Sequence, residues 1–226
     1  MSKAKAQTKT KTKAKAKAKA KAKAKAKAKA KTSTRDEFAL KAKLVEIALQ
    51  LAAEQGWAAV NSADVARCAR LKREEVATLF TDKHDILRQL GSMIDEQMKQ
   101  GGLPEGSTRD RLFEVTMRRF DALAPYRAGV KAVVADCTAD PLLPLALLGS
   151  FSDAMTATLE TADVPTTPLR KLGFSAVALA VFKAWLEDDS ADLAKTMAAL
   201  DRRLGQLEEA AQALSPLLGR QKEKAA

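Results

Sequence analysis

Few side chains of this sequence are equipped for bond-making chemistry. The one histidine is His84, and the cysteines are Cys68 and Cys137. A single histidine leaves nothing for a Ser-His pair. There is no Cys/His cluster at metal-ligand spacing, and no glycine-rich loop to cradle a nucleotide phosphate. An enzyme is therefore not expected, and neither is a metal or cofactor. His84 reads as a surface residue at a helix start. Each cysteine sits in a helical apolar pattern and reads as a buried, reduced thiol, which fits a reducing cytoplasm. What the sequence does carry is cations and hydroxyls able to meet phosphate oxygens. One set is Ser62, Arg67, Arg70, Lys72, Arg73, Thr78, Lys83 and His84. The other is a block of fourteen lysines within residues 1–32.

The charge is divided unevenly. The whole chain carries +11, and residues 1–32 hold fourteen lysines and no acid, leaving −3 for the rest. The basic character belongs to the tail, so it says nothing for DNA binding by the folded part. Residues 3–31 are close to a Lys-Ala repeat. Lysines at every second position cover all faces of a helix and repel one another at i,i+4. Residues 1–34 are therefore expected to be a disordered tail, spanning roughly 100 Å when extended at about 3.3 Å per residue. Each lysine that neutralises a phosphate releases a counterion, so such a tail would grip nucleic acid non-specifically and with steep salt dependence. A solubilising tail with no further role is the plainer alternative.

The elements around the second cation set follow from apolar spacing. In SADVARCARLKREEVATLFTDKHDILRQL (62–90), Ser62 is an N-cap candidate followed by Val65, Ala66 and Ala69 at helical spacing. Arg70-Leu71-Lys72 leaves room for a tight turn. Val76, Leu79 and Phe80 mark a second short helix, and Thr81 can cap a third that carries Ile86, Leu87, Leu90 and Ile94. Helix, tight turn and helix in this order is a helix-turn-helix, whose second helix lies in a DNA major groove.

The rest of the chain reads as helices too. Mostly Ala, Leu and Val with few aromatics and little alternation, it predicts an all-α protein with a real core. A helix over about 35–55 carries Leu40, Leu44, Ile47, Ala48 and Leu51, with Gly56 as its C′ residue. Gly101 to Gly106 is the clearest break, after which Ser107 and Asp110 form a capping box. Further helices follow Pro125, start near Asp140-Pro141, and run from Pro168 to Leu186. The last of these is apolar on several sides, as a buried helix is. Ser190 is read as the cap of a final helix. Its apolar positions are Leu193, Met197, Leu200, Leu204, Leu207, Ala211 and Leu214, spaced alternately by four and three. That narrow seam suits one neighbouring helix, either in the same chain or across the two-fold axis of a homodimer made by the last two helices. No run of eighteen apolar residues exists, so no membrane span is expected, and the first residues lack the apolar region of a secretory signal.

A helix-turn-helix head, a long following helix and an all-helical body resemble the tetracycline-repressor (TetR) family of bacterial transcriptional regulators. The residues that carry the likeness are Gly56, Ser62, Asp64-Val65-Ala66, Ala69, Leu71, Phe80 and Lys83, over about 55 residues. The stretches RRFDALAPYR and WLEDDSADLAKTMAALDRRL also resemble alphaproteobacterial members. The chain departs from the family pattern in four ways. Arg70 stands at the turn glycine, Lys72 at the serine cap and Ala77 at the recognition-helix tyrosine, and Glu74 and Glu75 add negative charge.

The resemblance implies about nine helices: a DNA-binding head over 35–84, a ligand-binding and dimerisation body over 85–215, and a flexible C-terminus over 216–226. It implies a cytoplasmic, nucleoid-associated homodimer acting on double-stranded DNA, most simply as a ligand-responsive repressor. In that role Lys72, Arg73 and Thr78 would reach bases or phosphate. Ser62, Arg67 and Arg70 would lie near the backbone, and Lys83 and His84 would meet phosphate. The family body holds a small-molecule pocket, for which Met93, Phe113, Met117, Phe120, Tyr126, Phe151, Met155, Phe174 and Trp185 are the candidates, suited to a hydrophobic ligand. A related set of proteins with this fold, the accessory proteins of ubiquinone biosynthesis, holds isoprenoid lipid and no longer reads DNA. The Asp-rich turn at 185–190 would suit that alternative.

Overall fold

The computed structural model describes residues 36–138 and 143–224. The lysine tail and the cap expected at Asp140-Pro141 lie outside the described residues. Among those described every regular element is helical. Helix α1 spans 36–55, and the rest of the head is α2 (Ser62–Ala69) and α3 (Arg73–Leu79). Then come α4 (Lys83–Lys99), α5 (Thr108–Leu123), a 3-10 turn at Ala124–Tyr126, α6 (Arg127–Ala135), α7 (Leu143–Thr161), α8 (Pro168–Leu186) and α9 (Ala194–Lys224). No helix is long and apolar enough to cross a membrane among the described residues.

By its contacts the chain divides into Met1–Lys43 and Leu44–Ala226. In the first unit the described part is the opening of α1, where Glu37 and Lys41 pair one turn apart at 2.8 Å. The second unit holds the head and body. The buried stripe of α1 there is Leu44, Val45, Ala48, Leu49 and Ala52. Gly56 ends that helix as the sequence requires, at φ +83° with its N–H on the Ala52 carbonyl at 2.9 Å.

Two caps fall one residue from their expected places. The side-chain oxygen of Asn61, not of Ser62, accepts the N–H groups of Ala63 and Asp64, both at 3.0 Å. Asp82, not Thr81, caps α4 by accepting from His84 and Asp85, and the Asp85 carboxylate returns to the N–H groups of Thr81 and Asp82. Asp leads Thr as a cap, which accounts for Asp82, whereas Asn and Ser rank alike and Asn61 is simply one residue nearer the start. Ser107 and Asp110 do form their capping box.

Helix α8 explains why its sequence is apolar on several sides. Phe174, Val177, Ala178, Val181 and Trp185 face the core and are buried. Leu169, Leu172 and Leu179 stand on the outside and are more than half exposed.

Helix α9 starts three residues later than a cap at Ser190 implies, because Asp188 reorganises the turn before it. The Asp188 carboxylate accepts from Ser190 N at 3.1 Å, Thr196 N at 2.8 Å and Thr196 Oγ1 at 2.7 Å, with a further short bond from Ser190 Oγ. Leu193 is thereby held outside the helix at φ +55°. The end differs as well, since α9 runs to Lys224, past the boundary expected at 215.

Candidate nucleic-acid interface

The interface begins with the turn between α2 and α3. Arg70 closes α2 in the left-handed region at φ 58°, ψ 39°. Its N–H reaches the carbonyls of Ala66 and Arg67, and the Leu71 N–H reaches Ala66 at 2.9 Å. This closing pattern ordinarily takes glycine, because a Cβ in that region costs about 1 kcal/mol. Arginine thus occupies a strained position and in return places a cation at the turn.

Helix α3 is anchored by Val76, which is buried, while Arg73, Glu74, Glu75, Ala77 and Thr78 are exposed. The two glutamates have different surroundings. Glu75 sits one turn into the helix and accepts the N–H of Lys72 at 2.8 Å, so its charge satisfies the helix start. Glu74 has no such bond and stays on the outer face. The Thr78 hydroxyl donates to the Glu75 carbonyl at 2.7 Å, which leaves it able only to accept. Arg67 pairs with Asp64 at 2.6 Å and stays largely exposed. Between Ser62 and Phe80 stand four cations against three carboxylates. That segment alone therefore carries only a small excess of positive charge toward phosphate.

The structure places Ser62, Arg67, Arg70, Lys72, Arg73 and Thr78 on the surface, and it draws Lys83 and His84 partly inward. The ammonium of Lys83 lies over the ring of buried Trp57, 5.7 Å from its centroid. His84 Nδ1 is 3.4 Å from Asp82 Oδ1, with the side chain mostly covered. Cys68 is exposed on α2, and Cys137 is half-buried with its thiol on the Val133 carbonyl at 3.6 Å. Cys68 was expected inside; it is exposed, and of α2 only Val65 and Ala66 are buried.

Behind the head, α6 joins it to the body. Gly129 meets α1 so closely that a Cβ there would lie 2.5 Å from the Leu49 carbonyl oxygen. Asp136, just past α6, accepts the Ala58 N–H at 2.8 Å. The next turn of the same helix, Val130, Val133 and Val134, lines a cavity of about 810 Å³. From α4 the cavity is lined by Leu87, Leu90, Gly91 and Ile94, and from α5 by Arg119 and Leu123. Leu147, Leu148, Ser150, Phe151 and Ser152 come from α7, and Pro168, Lys171, Leu172, Ser175, Leu179 and Phe182 from α8.

Arg119 is nearly fully buried and fully engaged with its neighbours. It pairs with Asp95 through a short contact, and it donates to Thr158 Oγ1 at 3.1 Å and to the Ala154 carbonyl at 3.2 Å. Burial lowers the pKa of its guanidinium from the ordinary value, and the Asp95 charge opposes that shift.

Of the pocket residues expected from sequence, only Phe151 lines this cavity. Phe120, Met155, Phe174 and Trp185 belong to the core, with Phe120 and Phe182 stacked on Trp185 at 5.6 and 5.7 Å. Arg127 completes that stack, 4.7 Å over the Trp185 ring. Phe113 lines a separate, charged cleft with Arg109, Glu114 and Arg118. Met93, Met117 and Tyr126 are half-buried away from the cavity, and burial together with the nearby Glu46 charge pushes the Tyr126 hydroxyl pKa up.

The seam of α9 also turns inward. Leu193, Leu200 and Leu204 are buried within the chain, Met197 and Leu207 are half-buried, and Ala211 is exposed. The Leu214 side chain lies outside the described residues. Helix α9 packs on α8 and α5, so the bundle itself takes most of the seam.

No protein-family model and no curated relative matches the sequence. Solved structures do. A TetR transcriptional regulator from Nitrosomonas europaea is 20% identical with a TM-score of 0.62, over 74% of this chain and 97% of that one. One from Rhodococcus is 18% identical with a TM-score of 0.57, over 77% and 97%. A tetR-family regulator from Streptomyces coelicolor is 21% identical with a TM-score of 0.56, over 80% and 85%. Each likeness covers about three quarters or more of this chain, which accordingly has the fold of the TetR-family transcriptional regulators.

Proposed function

We propose that this protein is a DNA-binding transcriptional regulator, acting as a homodimer and responsive to a small hydrophobic molecule. The observation that carries the reading is the α2–turn–α3 unit, with Lys72, Arg73, Thr78 and the strained Arg70 displayed together on the surface of a TetR-type fold. Residues 35–84 serve as the reading head, and the body from residue 85 serves for ligand binding and dimerisation. The small charge excess of the helix-turn-helix gives the lysine tail its role: it supplies non-specific affinity, while α3 supplies sequence preference. Exposed Leu169, Leu172 and Leu179 support a two-fold contact built on α8, and they replace the α9 seam as its apolar centre. Helix α6 supports ligand response, since its valines line the cavity while Gly129 abuts α1.

The test is a random-site selection on the chain lacking residues 1–32, alongside the full chain. Both are expected to enrich the same sequence. The truncated protein should bind more weakly, and its salt slope should fall by about 0.9 for each phosphate that the tail had neutralised. Absence of any sequence preference would sink the regulator reading. The apolar cavity favours a second reading, a lipid-holding accessory protein, which gains if that selection fails and neutral isoprenoid lipid co-purifies with the chain.

A further inference from the structure

Helix α8 lines the cavity with one continuous stripe. Pro168, Leu172, Ser175, Leu179 and Phe182 follow one another at helical spacing. From the first to the last is fourteen residues, or about 21 Å at a rise of 1.5 Å per residue. The cavity is therefore long as well as apolar, a slot running along α8 that opens to the surface where Leu148, Leu172 and Leu179 are more than half exposed. Its walls are aliphatic, without the aromatic faces that would stack a flat ring, apart from Phe151 and Phe182.

Charge marks one end of the slot. No carboxylate lines it, and only two cations do, Arg119 and Lys171. Arg119 is neutralised by Asp95 and tied to α7. Lys171 stands one turn into α8 beside Pro168, at the opposite end from Phe182, and forms no ion pair among the described residues. The side chain is half-buried and lines the slot, and a lysine so placed can lay its stem on the apolar wall and keep its head in water.

We propose that the slot takes an unbranched aliphatic acid, its chain lying along α8 and its anionic head on Lys171. The proposal rests on the ligand-responsive reading above and names the ligand class. An uncharged lipid would make no use of the Lys171 charge at the mouth of the slot, and a flat polycyclic compound would not follow a slot of this length. An acid satisfies both. Each buried methylene contributes through the area it removes from water, so affinity should climb with chain length until the slot is full.

The experiment measures direct binding of decanoate, dodecanoate, tetradecanoate and dodecanol to the full chain by calorimetry, without DNA. Affinity is expected to rise up to about fifteen-fold with each added pair of methylenes. Lys171→Glu should weaken dodecanoate at least ten-fold and leave dodecanol unchanged, and Lys171→Gln should weaken dodecanoate by less. Equal binding of acid and alcohol to the native chain, or a Lys171→Glu effect common to both, would overturn the anionic anchor. No binding of any chain would overturn the slot as an aliphatic site. Neither of those results touches the random-site selection, so failure here leaves the DNA-binding reading standing or falling on its own test.

Discussion

Arg70 shows how a single residue can hold stability and binding in opposition. Its left-handed backbone suits glycine, and its side chain suits phosphate. Replacing it with glycine should relieve about 1 kcal/mol of strain and raise the thermal midpoint by roughly 2–4 °C for a chain of this size. The same change should weaken operator binding and lower the salt slope by about one phosphate. Calorimetry and a salt titration of DNA binding would read the two effects separately. A variant that gains stability and loses no affinity would remove Arg70 from the interface. Glu75 makes a related point in the opposite sense. Its sequence position suggested repulsion of phosphate, yet its carboxylate is bound to the Lys72 N–H. That charge serves the start of α3, and Glu74 is left as the acid facing outward.

The turn before α9 depends on one carboxylate. Burial raises the pKa of Asp188, but hydrogen bonds from Ser190 and Thr196 outweigh it and hold the group well below the usual carboxylate range. A group whose folded-state pKa is depressed stabilises fully above its unfolded value, near 3.9, and loses that contribution as pH falls toward the folded value. Asp188→Asn should therefore cost about 2 kcal/mol at neutral pH, by presenting donors where acceptors are needed. Urea titrations should show that difference steady above about pH 5 and shrinking below about pH 4. A pH-independent difference would show that the charge is not what holds the turn.

The helices themselves were legible in sequence because apolar period and punctuation agree there. Gly56, Ser107 and the Pro168–Leu186 span fall where expected. The late start of α9 was not legible, because it depends on bonds from Asp188 to a residue eight positions away. The cavity was not legible either. Aromatic side chains were the natural candidates for a pocket, but Phe120, Phe174 and Trp185 close the core, and of the candidates only Phe151 reaches the void. Slimmer leucines and valines were left to line the void. The signal that could have found them is the second stripe of α8, which lies on the side of the helix away from Phe174 and Trp185.

At the scale of the whole molecule, the exposed leucines of α8 predict a homodimer in solution. Light scattering on the full chain at micromolar concentration should give twice the chain mass, and the double variant Leu172→Ser, Leu179→Ser should give the single mass. A native chain of single mass would end the dimer reading. Residues Leu172 and Leu179 line the cavity while remaining, respectively, 69% and 55% exposed. Under the two proposals above, they would belong at once to the wall of the ligand slot and to the face offered to a second copy. Such positions cannot drift freely over evolutionary time. A substitution that reshapes the slot for a new ligand also edits the surface by which subunits recognise each other. Lineages that change what they sense should change both together, through paired substitutions on α8 and the surface it meets. The cavity positions away from that face, such as Val133 and Ile94, carry no such double burden, so ligand preference is free to diverge there first.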